Sequence, residues 1–134
     1  MGTEYPSVRI VVTGSRNWND YRKVSWALRR ELTTHGEFLL GVGDCPAGAD
    51  QMALHWGRQN LMWPVLTFHA PWDMRGVVGG PVRNHFMIDM FRPRLVLAFL
   101  RPESRGTVDC VGYAESKGIE IRRFYEGGED GPVA

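Results

Sequence analysis

Val8-Arg9-Ile10-Val11-Val12-Thr13-Gly14 is a short β-branched run that stops at a glycine. Such a run reads as a buried strand followed by a tight turn. The chain downstream repeats that unit. Asp20 caps a helix through Thr34 that sets Val24, Ala27, Leu28 and Leu32 on one face and stops at Gly36. Phe38 to Val42 is a second strand, and the helix after it carries Met52, Ala53 and Trp56 inward. Val65 to Phe68 is a third, with Pro64 keeping Trp63 out of helical geometry. A glycine-rich connection from about His69 to Gly80 leads to a helix starting near Pro81, a favoured first helical position. Leu95 to Phe99 is a fourth strand, and Gly106-Thr107 opens a helix that Gly118 closes. In the last strand Ile119, Ile121 and Phe124 interleave with Glu120, Arg122 and Arg123, the pattern of one wet face. Continuous apolar strands joined by helical crossovers predict an α/β fold. The expected form is a three-layer, Rossmann-like, doubly wound parallel sheet of about five strands in the order 3-2-1-4-5.

Composition narrows the class. The 134 residues are 43% hydrophobic and 23% charged, enough for one core, expected over residues 1–126 with a flexible tail over 127–134. A net charge of +1 argues against a protein that coats DNA or lies on a membrane surface. Cys45 and Cys110 cannot make a disulfide framework, and no Cys/His spacing suggests a metal site. No segment approaches the roughly 18 apolar residues of a membrane span, and the N-terminus lacks a signal peptide, so the expected location is the cytoplasm. Apart from Lys23 and Lys117 the 16 basic residues are all Arg, which suits bidentate recognition of phosphate or carboxylate.

In such a sheet, ligands bind beyond the carboxyl ends of the strands, where four loops gather. The first offers Gly14 for a tight turn, the Ser15 hydroxyl, Arg16 as a phosphate fork or an exposed helix-entry residue, and Trp18. The second places Gly43 and Gly48 where backbone amides can meet an anion, with Asp50 positioned to accept from ribose hydroxyls or to stabilise a helix start. Cys45 in that loop reads as a packed thiol. The third holds Trp72, Gly80, Arg83 and Asn84. An Arg in the first turn of a helix opposes the macrodipole, so Arg83 calls for a bound phosphate or a buried carboxylate partner. Trp18 and Trp72 are candidate stacking surfaces for a base, or core. The fourth loop sets Gly106 and Thr107 at a helix start, as a phosphate cradle or a plain cap. The chain has no Gly-Lys-Ser/Thr phosphate loop and no G-x-G-x-x-G after its first strand, which argues against an ordinary nucleotide triphosphatase or nicotinamide dehydrogenase.

Val12-Thr13-Gly14-Ser15-Arg16-Asn17-Trp18, Gly43-Asp44-Cys45-Pro46-Ala47-Gly48-Ala49-Asp50 and Gly79-Gly80-Pro81-Val82-Arg83-Asn84-His85-Phe86-Met87 resemble three blocks of the YspA, cpYpsA-related SLOG family, and Gly106-Thr107 its shorter fourth. The match spans about residues 7 to 124. The resemblance implies a Rossmann-like fold in a small bacterial or phage protein, acting in the host cytoplasm if phage-encoded. It further implies a nucleotide or nucleotide-derived ligand held by the residues above, with the protein a sensor, carrier or sequestering agent and no other cofactor. Homodimerisation through helices is a further implication. The related Lonely Guy phosphoribohydrolases suggest nucleoside-monophosphate hydrolysis as the alternative, with Arg83 and Asp109 as candidate catalytic residues. Their catalytic Glu, however, falls at Cys110 here. The DNA-processing relative DprA suggests single-stranded nucleic-acid binding as a further alternative.

Overall fold

The computed structural model describes residues 5–69 and 76–126. Strands β1 (Arg9–Gly14), β2 (Leu39–Gly43), β3 (Leu66–Phe68), β4 (Leu95–Leu100) and β5 (Glu120–Tyr125) alternate with helices α1 (Tyr21–His35), α2 (Gly48–Asn60), α3 (Gly76–Phe91) and α4 (Arg105–Ser116). The strands form one parallel sheet in the order β3-β2-β1-β4-β5. This is the expected Rossmann-like order, and the winding reverses between the neighbouring strands β1 and β4. The tail expected over 127–134 lies outside the described residues.

The period of two along each strand sorts the core into two layers. Ile10, Val12, Leu40, Val42, Leu97 and Phe99 face α1 and α2, where they meet Val24, Leu28, Ala53 and Trp56. Val11, Leu39 and Val96 face the other way, onto Met87, Ile88 and Phe91 of α3 and Cys110 and Ala114 of α4. Both faces of β1 and β4 are therefore dry, which is why their sequences run apolar without alternation. At the sheet edge β5 keeps one inward ring, Phe124, stacked on Phe99 with centroids 5.0 Å apart. Its polar face is tied to α1, where Arg122 pairs with the buried Glu31 and Lys23 Nζ donates to the Tyr125 carbonyl at 2.7 Å.

Helix ends follow local chemistry with one exception. The Asp20 side chain accepts from the Lys23 amide, and Gly36 turns the chain out of α1 at φ 76°. The exception is α3, which begins at Gly76 rather than near Pro81, so that Pro81 lies inside it. Proline holds φ in the helical range and so continues the turn before it, at the loss of one backbone hydrogen bond. Arg83 then sits two turns inside the helix, beyond the reach of the positive dipole end. The macrodipole conflict expected at Arg83 does not arise.

At the other end of α3, Arg92 adopts φ 51°. The Arg9 guanidinium caps this end, donating from Nε to the Phe91 carbonyl at 2.7 Å and from Nη2 to the Arg92 carbonyl at 3.2 Å. A left-handed residue after a helix favours glycine. Arg92→Gly should therefore raise stability by roughly 0.5–1 kcal/mol in urea unfolding, and a loss of stability would show that the Arg92 side chain outweighs its backbone strain.

Candidate functional site

The carboxyl ends of the strands open into a cleft of about 440 Å³. Its walls come from the β1–α1 loop, the β2–α2 loop, α3 and the start of α4. Of the residues expected there, Gly14, Ser15, Arg16, Asp50, Arg83, Asn84, Gly106 and Thr107 line it together. Close packing holds the loops in place. A Cβ on Gly14 would stand 2.5 Å from the Ala49 Cβ, so the end of β1 and the start of α2 nearly touch. Gly48 has φ 73° and presses on the Ser15 and Arg16 backbone, while the Ala49 amide donates to the Ser15 carbonyl at 3.2 Å.

The cleft floor is a buried charge cluster. Arg83, 8% exposed, donates from Nη1 to Asp44 Oδ1 at 2.6 Å and from Nε to Asn84 Oδ1 at 2.6 Å. The partner that the sequence called for is thus a carboxylate of the β2–α2 loop. Gly43 leaves the space: a Cβ there would lie 2.5 Å from Arg83 Nη1 and 2.7 Å from Asp50 Oδ2. Asp50 is 6% exposed. Burial pushes its carboxyl up to about 7, against the opposing pull of Arg83 and a hydrogen bond from the Cys45 amide, with Asp44 adding to the rise. Asn84 Nδ2 reaches the Gly106 carbonyl at 3.5 Å and links this floor to α4.

The α4 wall has the opposite character. Its cap residue Ser104 makes no side-chain capping bond, and among the described residues the Gly106 and Thr107 amides have no backbone acceptor. Thr107 is 4% exposed, lines the cleft, and makes no hydrogen bond through its hydroxyl among the described residues. Arg105 stands at the first position of α4 and Arg16 across from it; both are exposed, and neither forms an ion pair among the described residues. Glu103 lies at the mouth between Asn17 Nδ2, at 3.2 Å, and Arg101 Nε, at 2.9 Å. The Asn17 bond leads the causes that hold its carboxyl below the usual range.

Several expected site residues fall elsewhere. Trp18 is 2% exposed and packs edge-on against Phe99, its Nε1 donating to the Asp20 carbonyl. It is core and offers no face to a base. Asp109 lies outside the cleft and accepts from His85 Nε2 at 2.9 Å. Gly43 and Gly48 act from behind the lining, and Gly80 lies within α3 beside Pro81. Trp72 lies outside the described residues. Cys110 is fully buried and its thiol is pushed up to about 11 by that burial, which keeps it neutral. Arg105, Ser104, Glu103 and Asn17 were not singled out as ligand contacts. For Arg105 the signal existed, since, like Arg22 in α1, it stands in a helix's first turn.

The model of the YspA, cpYpsA-related SLOG family matches residues 8–74, which hold the first two loops. The Gene 61 protein of Mycobacterium phage D29 is 34% identical over 122 residues, covering 87% of this chain and 95% of its own. No solved structure matches the chain.

Two outcomes follow. Gly48→Ala places a side chain against the Ser15 and Arg16 backbone at positive φ and should cost roughly 2 kcal/mol or more in urea unfolding; an unchanged midpoint would show that the two loops part freely. In the folded state Asp50 keeps a proton that the unfolded chain releases at pH 3.8, so its contribution to stability falls between pH 3.8 and about 7. Asp50→Asn should therefore gain on the wild type as pH rises through that window, by on the order of a few kcal/mol. Parallel stability curves would contradict this.

Proposed function

The chain belongs to the YspA, cpYpsA-related SLOG family, and from that premise we propose that it binds a nucleotide or nucleotide-derived phosphate ligand in the cleft at the carboxyl edge of its sheet. The observation that carries this reading is the α4 wall. Among the described residues, two helix-start amides without backbone acceptors, a Thr107 hydroxyl without a hydrogen-bond partner and two arginines without an ion pair line one concave surface. Helix starts of this kind favour anions, and an Arg fork matches phosphate oxygens. The ligand's phosphate sits against Gly106 and Thr107, flanked by Arg105 and Arg16. Its ribose faces the opposite wall, where Asp50 and the Asp44–Arg83 pair meet hydroxyl groups. Arg83 acts here as a positioning residue, because its Nε and Nη1 are engaged by Asn84 and Asp44. The protein serves as a sensor, carrier or sequestering agent in the cytoplasm, the host's in the case of a phage gene.

A second reading has one observation in its favour. A carboxyl titrating near neutrality inside the cleft, Asp50, is suited to acid–base work in nucleoside-monophosphate hydrolysis. The neutral Cys110 thiol would take no part in it. Release of free base from a nucleoside monophosphate, abolished in Asp50→Asn, would establish that activity. The exposed side chains of Val82, Phe86 and Met90, one helical turn apart along α3, supply a face through which two copies would pair.

A thermal-shift panel of mono-, di-, cyclic and ADP-ribose-type nucleotides tests the binding reading. A ligand present at a hundredfold excess over its Kd should add about 2.7 kcal/mol to stability. Arg105→Ala and Arg16→Ala should each weaken it about tenfold. A panel without any response would sink the reading.

A further inference from the structure

The two helical layers that cover the sheet differ in sign. Every exposed charged side chain on α1 and α2 is an arginine: Arg22, Arg29 and Arg30 on the first helix, Arg58 on the second. The carboxyl groups of these helices are buried, Glu31 at 1% exposure and Asp50 at 6%. At the borders of the layer Asp20 accepts from the Lys23 amide and Glu37 from the Met62 amide. The opposite layer is acidic, with Asp89, Asp109 and Glu115 exposed on α3 and α4. Those three acids are engaged within the fold, by the Tyr113 hydroxyl at 2.8 Å, His85 Nε2 at 2.9 Å and Arg123 Nη2 at 2.7 Å. The net charge of +1 is thus the sum of unlike faces, and it does not argue against a polyanion on the cationic one.

The arginines of this face are oriented without being neutralised. Arg30 Cζ lies 5.5 Å from the centre of the Trp26 ring and Arg29 Cζ 5.7 Å from that of Trp56. Arg29 Nη2 donates to the neutral Asn60 Oδ1 at 2.7 Å. Stacking on a ring fixes a guanidinium and leaves its charge available to an anion. Arg22 and Arg58 form no ion pair or hydrogen bond through their side chains among the described residues. Arg22 and Arg29 are seven residues apart, which sets them on one stripe of α1, about 10 Å apart along its axis. None of the four arginines lines the cleft.

We propose that the α1–α2 face binds the phosphate backbone of duplex nucleic acid without reading its sequence. Such binding needs un-neutralised cations on a solvent-facing surface, and an Arg fork matches phosphate oxygens. A single strand needs open ring faces on which unstacked bases lie. Here Arg30 covers Trp26, Trp56 is buried, and the Tyr21 ring meets His55 edge to face at 6.0 Å. An anionic membrane surface calls for apolar side chains among the cations, and Tyr21 is the one large apolar side chain exposed on these two helices. A second copy of this chain would bring acids that already have partners. The face and the cleft are separate sites, and either stands without the other.

Fluorescence anisotropy with a mixed-sequence DNA duplex of about 20 base pairs tests this. Four phosphate contacts give a slope of log K against log salt of about −3.6, or an affinity loss of about 150-fold between 50 and 200 mM salt. Arg58→Gln should make that slope shallower by about 0.9. Lys117→Gln, which removes the same charge at the end of α4, should leave it unchanged. Arg22→Gln should reproduce the effect of Arg58→Gln, so the assignment is tested even where one variant fails to fold. The single strand of the same sequence should bind at least about tenfold more weakly. Absence of duplex binding at 50 mM salt overturns the proposal, and so does a loss in Lys117→Gln equal to that in Arg58→Gln. Tighter binding to the single strand, or to phosphatidylserine vesicles, overturns it as well.

Discussion

Arg83 is a single guanidinium set beneath two carboxyl groups, and the cleft takes its form from that arrangement. Its Nη1 holds Asp44, its Nε holds Asn84, and through Asn84 the floor reaches the Gly106 carbonyl at the start of α4. One side chain thus ties the β2–α2 loop, α3 and α4 around a common point. The packing there admits no extra atom, since a Cβ on Gly43 would collide with both Arg83 and Asp50. Removing the Arg83 charge would take from the buried Asp50 carboxyl the cation that opposes its burial, and from Asp44 its short ion pair, a larger loss than that of an ordinary hydrogen bond. The interaction therefore belongs to stability and to the shape of the site at once.

That floor gives the cleft two unlike walls. On the α4 side the chain presents amides, a hydroxyl and unpaired arginines; on the α2 side it presents carboxyl groups. At the start of α2 the Ala49 amide is taken by the Ser15 carbonyl, and the Asp50 carboxyl stands in the first turn. The start of α4 has no acidic residue in its first turn and begins with Arg105. An anion therefore gains more at α4, although both helices begin at the same edge of the sheet. A ligand with a phosphate at one end and hydroxyl groups at the other fits this polarity in one orientation only.

The fold was legible because its signals are local and repeated. Val8 to Gly14 reads as a dry strand without any knowledge of its neighbours, and the strand order follows from the hand of the crossovers. The edge on which the site lies is legible for the same reason. Partnerships within it were not. Nothing in the spacing of Asp44 and Arg83, 39 residues apart, indicates that they meet at 2.6 Å. Pro81 looked like a helix start because proline suits that position, yet it equally continues a helix begun one turn earlier. That shift took Arg83 out of the first turn, while Arg105 met the same criterion unremarked. Trp18 shows a further limit. A tryptophan beside a glycine turn can stack on a ligand or fill the core, and only the packing against Phe99 decides.

The central claim is that an anionic nucleotide-type ligand is held at the start of α4. Backbone amide shifts followed by NMR during titration with AMP test it most directly. The account predicts that the largest perturbations fall on Gly106 and Thr107, with Arg16 following and the start of α2 moving less. Perturbations centred on Gly48 and Ala49, or spread over the α1 surface with Gly106 and Thr107 unmoved, would contradict it.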